Sequence, residues 1–122
     1  MKKFYTTLVL LTIALMSFSQ PYFIYTAKGS GSWYDVNNWN IQNRGDGVAK
    51  HRIVIPAAFT ITADNGVNCL GLADVEVIIA GGITLAPNTT LILSNNSSIE
   101  LNNGFISGTT ASQQIIIGGT IK

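Results

Sequence analysis

Residues 75–121 read VEVIIAGGITLAPNTTLILSNNSSIELNNGFISGTTASQQIIIGGTI, and this stretch decides the fold. Apolar bursts recur at 75–79, 83–85, 91–93, 99–101, 105–106 and 115–117, separated mainly by Gly, Asn, Ser and Thr. Glu76 and Glu100 are its only charges. In Ile83-Thr84-Leu85 and Ile99-Glu100-Leu101 a polar residue separates two apolar ones, which is the period-2 pattern of a strand, not the 3.6 period of a helix. The bursts at 83, 91 and 99 start eight residues apart. Regular short strands with turn residues between them predict an all-β chain. Two features favour a short right-handed parallel β-helix, a β-solenoid, over the alternative of a small β-sandwich. The bursts are very short, and their linkers are rich in Asn and Gly rather than built as two-residue hairpin turns. In that reading Ile83, Leu85, Leu91, Leu93, Ile99 and Leu101 point inward, and Thr84, Ile92 and Glu100 point outward.

Working outward from this stretch, the beginning of the chain reads as an address. Met-Lys-Lys is followed by an apolar run over 4–18, with Ser17 and Ser19 as small residues before Gln20. Charged, apolar, then small is the order of a cleaved secretory signal, here 1–19. A membrane span needs about 20 apolar residues, more than this run supplies. The expected location is therefore secreted or cell-surface, with no membrane span after signal removal. From Gln20 onward five Lys and Arg stand against six Asp and Glu, a net charge of −1 with His51 neutral. That balance holds no basic patch dense enough for nucleic acid. Cys69 is the only cysteine, so no internal disulfide forms, and a packed thiol is expected. Asn88, Asn95 and Asn96 begin glycosylation-like triplets that read first as turns.

Residues 20–32 include Gly29-Ser30-Gly31-Ser32 and read as a flexible lead before a β-helical domain over 33–122. Trp33, Tyr34 and Trp39 then concentrate aromatic surface beside Asp35, Asn37 and Asn38. One reading is a ligand-binding platform, in which Trp33, Tyr34 and Trp39 stack on sugar rings while Asp35 bonds hydroxyls. The other is an N-terminal aromatic cap. The end of a stack of coils exposes its core, and large rings that bury about 150–250 Å² each cover it well. The cap is favoured because a stack must be closed, whereas sugar binding is optional.

The polar segment 41–51 reads as a surface loop; within it Arg44-Gly45-Asp46 matches a short adhesion tripeptide, though Gly45-Asp46-Gly47 is also an ordinary turn. Residues 52–56 and 59–64 read as the first strands of the stack, followed by a turn at Asp64-Asn65-Gly66. Catalytic chemistry is not legible. Glycoside cleavage needs two carboxylates flanking a cleft. Asp74 and Glu76 sit two residues apart and read as solvated charges. His51 is the only histidine, so no histidine-rich metal site forms, and its pairing with Cys69 carries no nucleophile motif. No phosphate loop or dinucleotide fingerprint is present, so no cofactor is expected.

Gly31-Ser32-Trp33 with Trp39, Ile53-Val54-Ile55-Pro56, Thr60-Ile61-Thr62-Ala63-Asp64, Gly82-Ile83-Thr84-Leu85, Ile99-Glu100-Leu101, Asn103-Gly104 and the glycines of the final stretch together resemble a known family. It is the extracellular domain named for its eight glycines, found in fibrocystin and in cell-surface proteins that handle hyaluronan. The chain also resembles the N-terminal regions of large secreted bacterial surface proteins with parallel β-helices. The resemblance covers roughly 32–121. It implies an extracellular all-β module with a role in ligand binding or adhesion, and it transfers no catalytic residue. The expected function is a secreted, non-enzymatic β-helical module for cell-surface structure or adhesion. The alternative is a carbohydrate-binding module whose partner is a polysaccharide or cell-surface glycan. Residues 114–122 still read as strand, turn, strand. More coils in a longer parent chain, or end-to-end self-association, are the two expected ways to cover them.

Overall fold

The computed structural model describes residues 21–64, 69–108 and 113–122. The expected signal segment and the Asn65-Gly66 part of the expected turn lie outside them, as does the side chain of Cys69. The described chain is all-β, and its only helical piece is a single 3-10 turn at Val36–Asn38. In chain order the strands are β1 (Phe23–Ala27), β2 (Gly31–Ser32), β3 (Trp39–Asn43), β4 (His51–Ile55), β5 (Thr60–Ala63), β6 (Cys69–Leu72) and β7 (Val75–Ile79). They continue with β8 (Gly82–Leu85), β9 (Thr90–Leu93), β10 (Ser98–Leu101), β11 (Phe105–Gly108), β12 (Gln114–Ile117) and β13 (Thr120–Ile121).

The strands form three sheets, ordered β13-β10-β7-β4-β1-β3, β11-β8-β5-β2 and β12-β9-β6. From β4 onward the chain visits the three sheets in rotation. Each strand pairs in parallel with the strand three places later. Only β3 runs antiparallel, back along β1.

Register then decides what is buried. Successive side chains of a strand alternate between faces, so aligned strands stack like positions on like. Ile53, Val77, Ile99 and Ile121 align in one row, and Ile61, Ile83 and Ile106 in another. Leu70, Leu91 and Ile115 form a third, with Leu72, Leu93 and Ile117 beside it. The rows meet in one core of Ile, Leu, Val and Ala, closed at one end by Trp39. The alternation expected at 83–85, 91–93 and 99 is observed. Ile83, Leu85, Leu91, Leu93 and Ile99 are buried, Thr84 and Ile92 are half-buried, and Glu100 is exposed.

The turns are built from residues suited to them. The N–H groups of Phe59, Thr89 and Ser97 donate to the carbonyls of Pro56, Ala86 and Ser94 at 3.0, 3.2 and 3.0 Å. Asn88 and Asn103 take left-handed φ values of 62° and 63°, which Asn tolerates better than most side chains. The Asn88 and Asn95-Asn96 triplets do lie in turns, and their following hydroxyl residues Thr89 and Ser97 are buried. Ser97 Oγ accepts the Val75 N–H of the neighbouring circuit at 3.2 Å. Gly104 marks a close approach: a Cβ there would overlap the Ile79 carbonyl of the preceding circuit.

Three expectations are corrected. Leu101 holds the inward register expected of it, aligned with buried Ile79, but it is 40 % exposed rather than core. The lead expected over 20–32 is paired from Phe23 onward: β1 lies between β3 and β4, and β2 pairs with β5. The Gly-Ser composition of 29–32 hides the short β2 ladder that tertiary pairing supplies, whereas β1 is the alternating stretch Phe23–Ala27. The loop expected over 41–51 starts as β3, an edge strand whose residues 40–43 are all exposed.

Candidate functional site

The aromatic end is built where β3 folds back on β1. Cross-strand register sets Ile41 opposite Tyr25 and Tyr25 opposite Ile53, so one face carries an apolar row across three strands. The segment between β2 and β3 brings Trp33, Tyr34 and Val36 alongside that row. The result is an open, mainly apolar hollow of about 260 Å³ lined by Tyr25, Trp33, Tyr34, Val36, Trp39, Ile41 and Ile53.

The sequence candidates play different parts in it. Trp39 is buried at 9 % exposure, and its Nε1 donates to the Trp33 carbonyl at 2.9 Å. The two indoles meet edge to face, with centroids 5.4 Å apart, a favourable aromatic geometry. Trp33 is half-buried against the core, whereas Tyr34 is 44 % exposed. Asp35 does not line the hollow; its carboxylate accepts the Asn37 N–H at 2.9 Å and caps the 3-10 turn. Asn38 Nδ2 donates to the Ser32 carbonyl at 3.0 Å, which fixes the base of the same segment. Tyr25, Ile41 and Ile53 were not singled out as site residues. Alternation in Phe23-Ile24-Tyr25-Thr26-Ala27 is the signal that could have found the first of them.

A second cluster sits on the outer face of the six-stranded sheet. The Arg44 side chain is fully buried. Its Nε donates to Asp46 Oδ1 at 2.7 Å, and its Nη1 donates to the Lys50 carbonyl at 2.9 Å and to Glu76 Oε2 at 3.2 Å. Arg52 Nε also donates to Glu76 Oε2, at 3.1 Å. The hydrogen bond from Arg44 holds the Asp46 carboxyl below its usual range. Burial pushes the Glu76 carboxyl upward, but the hydrogen bond from Arg52 and the charge of Arg44 outweigh it, so its pKa is lowered. The same carboxylates, Asp46 first, raise the pKa of Arg44. An adhesion tripeptide must present both its charges. Here Arg44 is buried and bonded to Asp46, so the Arg44-Gly45-Asp46 match is a closed structural turn.

The remaining candidates are not brought together as chemistry. A carboxylate held below its usual pKa by two arginines is a poor proton donor, the opposite of a raised general acid. Asp74 sits at φ 53° in the turn before β7, and its carbonyl accepts the His51 N–H at 3.2 Å. His51 Nδ1 accepts the Phe23 N–H at 3.1 Å, and its ring stacks on Phe23 with centroids 6.0 Å apart. Asp64 accepts a hydrogen bond from Ser32 Oγ. Among the described residues no group of three or more His, Cys, Asp and Glu gathers as a metal site. None of their helices is long and apolar enough to cross a membrane. Compared with protein-family models, curated proteins and solved structures, the chain matches none of them.

Proposed function

We propose that this chain is a secreted, non-enzymatic module of the cell surface, a short right-handed parallel β-solenoid used for structure or adhesion. The observation that carries the reading is the stacking of like positions, in which Leu70, Leu91 and Ile115 follow one another in successive circuits. Such a stack is a stiff element whose core repeats while its outer face is free to vary. The outer rows do vary: Arg52, Glu76, Ser98 and Thr120 follow one another on one sheet, and Gly71, Ile92 and Ile116 on another. Right-handedness follows from the general chirality of parallel crossovers. The charged, apolar and small residues of 1–19 support export. The test is expression from the intact reading frame followed by fractionation and N-terminal mass spectrometry. Recovery outside the cell with a start at or near Gln20 supports the reading. A cytoplasmic product with Met1 intact contradicts it.

A specific observation favours a second reading, carbohydrate binding. The hollow is open and mainly apolar, and Tyr34 stands exposed at it beside half-buried Trp33. Its size suits the apolar face of a single sugar ring. Titration of tryptophan fluorescence with a glycan panel tests this. Binding that Tyr34→Ala weakens at least tenfold, with the β-sheet circular dichroism unchanged, supports it; a flat response across the panel removes it.

A further inference from the structure

His51, the only histidine of the chain, joins three strands. It opens β4, two residues before inward-facing Ile53. Its backbone N–H donates to the Asp74 carbonyl just before β7, at 3.2 Å. Its side chain reaches the other way. Nδ1 accepts the Phe23 N–H of β1 at 3.1 Å, across 28 residues of chain. The β1–β4 ladder begins one residue later, with Ile24 opposite Arg52, so the imidazole extends that ladder by one bond.

The ring lies among aromatic neighbours. Its plane is 7° from that of Phe23, and its centroid is 5.4 Å from that of Tyr22 and 6.0 Å from that of Tyr25. Tyr25 and Ile53 also line the hollow at the aromatic end. The titratable groups that face the ring are Tyr22 and Tyr25. Asp74 meets His51 through its backbone carbonyl. Lys50 and Arg52 flank it on either side; Arg52 pairs with Asp46 and Glu76, and the Lys50 carbonyl accepts from Arg44. Among the described residues no carboxylate forms an ion pair with the imidazole. His51 is half-buried, so protons reach the ring from solvent.

An imidazole nitrogen that accepts a hydrogen bond carries no proton, so the neutral ring bears its proton on Nε2. In the protonated ring both nitrogens are donors. Nδ1–H would then face the Phe23 N–H, and two donors aimed at each other cannot bond. Phe23 loses the partner of its amide, and the ring gains a charge that no paired carboxylate offsets.

We propose that His51 is a pH latch on the aromatic end: neutral, it fastens the start of β1 to β4, and protonated, it lets β1 go. β1 carries β3 on its other side, so release at Phe23 loosens the face that forms the hollow. The latch works over the range in which histidine changes charge, about pH 5–8. The order it supplies is full above that range and is lost as pH falls through it. Asp46 and Glu76 are held below their ordinary values of 3.8 and 4.5, so they stay charged throughout and their own acid response lies lower. The inference needs neither secretion nor sugar binding.

The test is amide exchange of the purified chain, followed by nuclear magnetic resonance at the two ends of that range and corrected for intrinsic rates. The expected result is a loss of protection at the Phe23 amide of about tenfold on acidification, the worth of one hydrogen bond. Val77 and Leu91, in the core, keep theirs. His51→Asn sets an amide oxygen near the place of Nδ1, accepts the same N–H and does not titrate, so it abolishes the pH dependence. His51→Phe keeps a ring and removes the acceptor, so Phe23 exchanges fast at both ends of the range. Imidazole nitrogen shifts of the parent chain place the neutral proton on Nε2, a reading that needs no variant to fold. Protection of Phe23 that ignores pH overturns the proposal, as does equal pH dependence in His51→Asn or a neutral ring protonated on Nδ1. Loss of protection at Val77 and Leu91 in step with Phe23 means global unfolding instead of a latch and overturns it too.

Discussion

Leu70 and Ile115 occupy the same place in the stack, one on each side of Leu91, yet Leu70 is 4 % exposed and Ile115 is 46 %. The residues are chemically alike, and their strands have the same length. What differs is the neighbour beyond them. At the N-terminal end the chain reverses, lays β3 antiparallel on β1 and brings Trp33 and Trp39 against the core. At the other end the last circuit has no such device among the described residues. Burial in a stacked fold is thus a property of the circuit next door as much as of the residue. The same kind of residue is core in the middle of the stack and exposed in the last described circuit.

That contrast makes unequal predictions for the two ends. Trp39→Ala removes the buried ring that closes the stack and should cost about 3–5 kcal/mol by urea denaturation. Within a single row, Leu93→Ala should cost about 2–5 kcal/mol, since it leaves a cavity among packed neighbours. Ile117→Ala, at the equivalent position of the rim, should cost less than half as much in dilute monomer. Ile92→Ala, on the outer face of β9, should also cost clearly less than Leu93→Ala. The reverse order would mean that the register is displaced by one residue.

The charged cluster gives a smaller effect with a pH signature. Glu76→Gln removes a charged acceptor from buried Arg44 and should cost about 1–3 kcal/mol at neutral pH. The carboxyls of Asp46 and Glu76 both lie below their ordinary values of 3.8 and 4.5, so the unfolded chain binds protons more readily than the folded one. The stability they add is full above those ordinary values and is lost as pH falls through the lowered folded ones. Acid denaturation of the parent chain should therefore be steep below about pH 4.5 and shallower in Glu76→Gln. Equal slopes would remove Glu76 from the account. The smallest effect belongs to Ile41→Ser on the exposed edge strand, expected within about 0.5 kcal/mol.

Much of the stack was legible locally, because alternation such as Ile83-Thr84-Leu85 names its inward face without reference to any neighbour. Leu101 shows where that reasoning stops. Its alternation is as regular as that of Ile99, yet it is 40 % exposed where Ile99 is buried, a difference that lies in the neighbouring strands and not in the local pattern. β2 was hidden for a related reason: Gly29-Ser30-Gly31-Ser32 has the composition of a linker, and pairing of Gly31 and Ser32 with β5 gives its end structure. Of the hollow, the aromatic members Trp33, Tyr34 and Trp39 stood out by composition. Tyr25, Ile41 and Ile53 did not, since they meet through cross-strand register over 28 residues of chain, a relation no local window contains.

The asymmetry of the two ends is tested most directly by native-state hydrogen exchange at residue resolution, in solution dilute enough to keep the chain monomeric. Amides exchange through local openings whose free energies follow packing, so protection maps burial strand by strand. The expected order is slowest exchange in the central strands β4, β7 and β9, intermediate exchange in β1, and fastest exchange in β12 and β13. Protection of β12 equal to that of β9 in the dilute monomer, or fraying that begins at β1 and β3, would contradict a stack packed more tightly at its aromatic end than in its last described circuit.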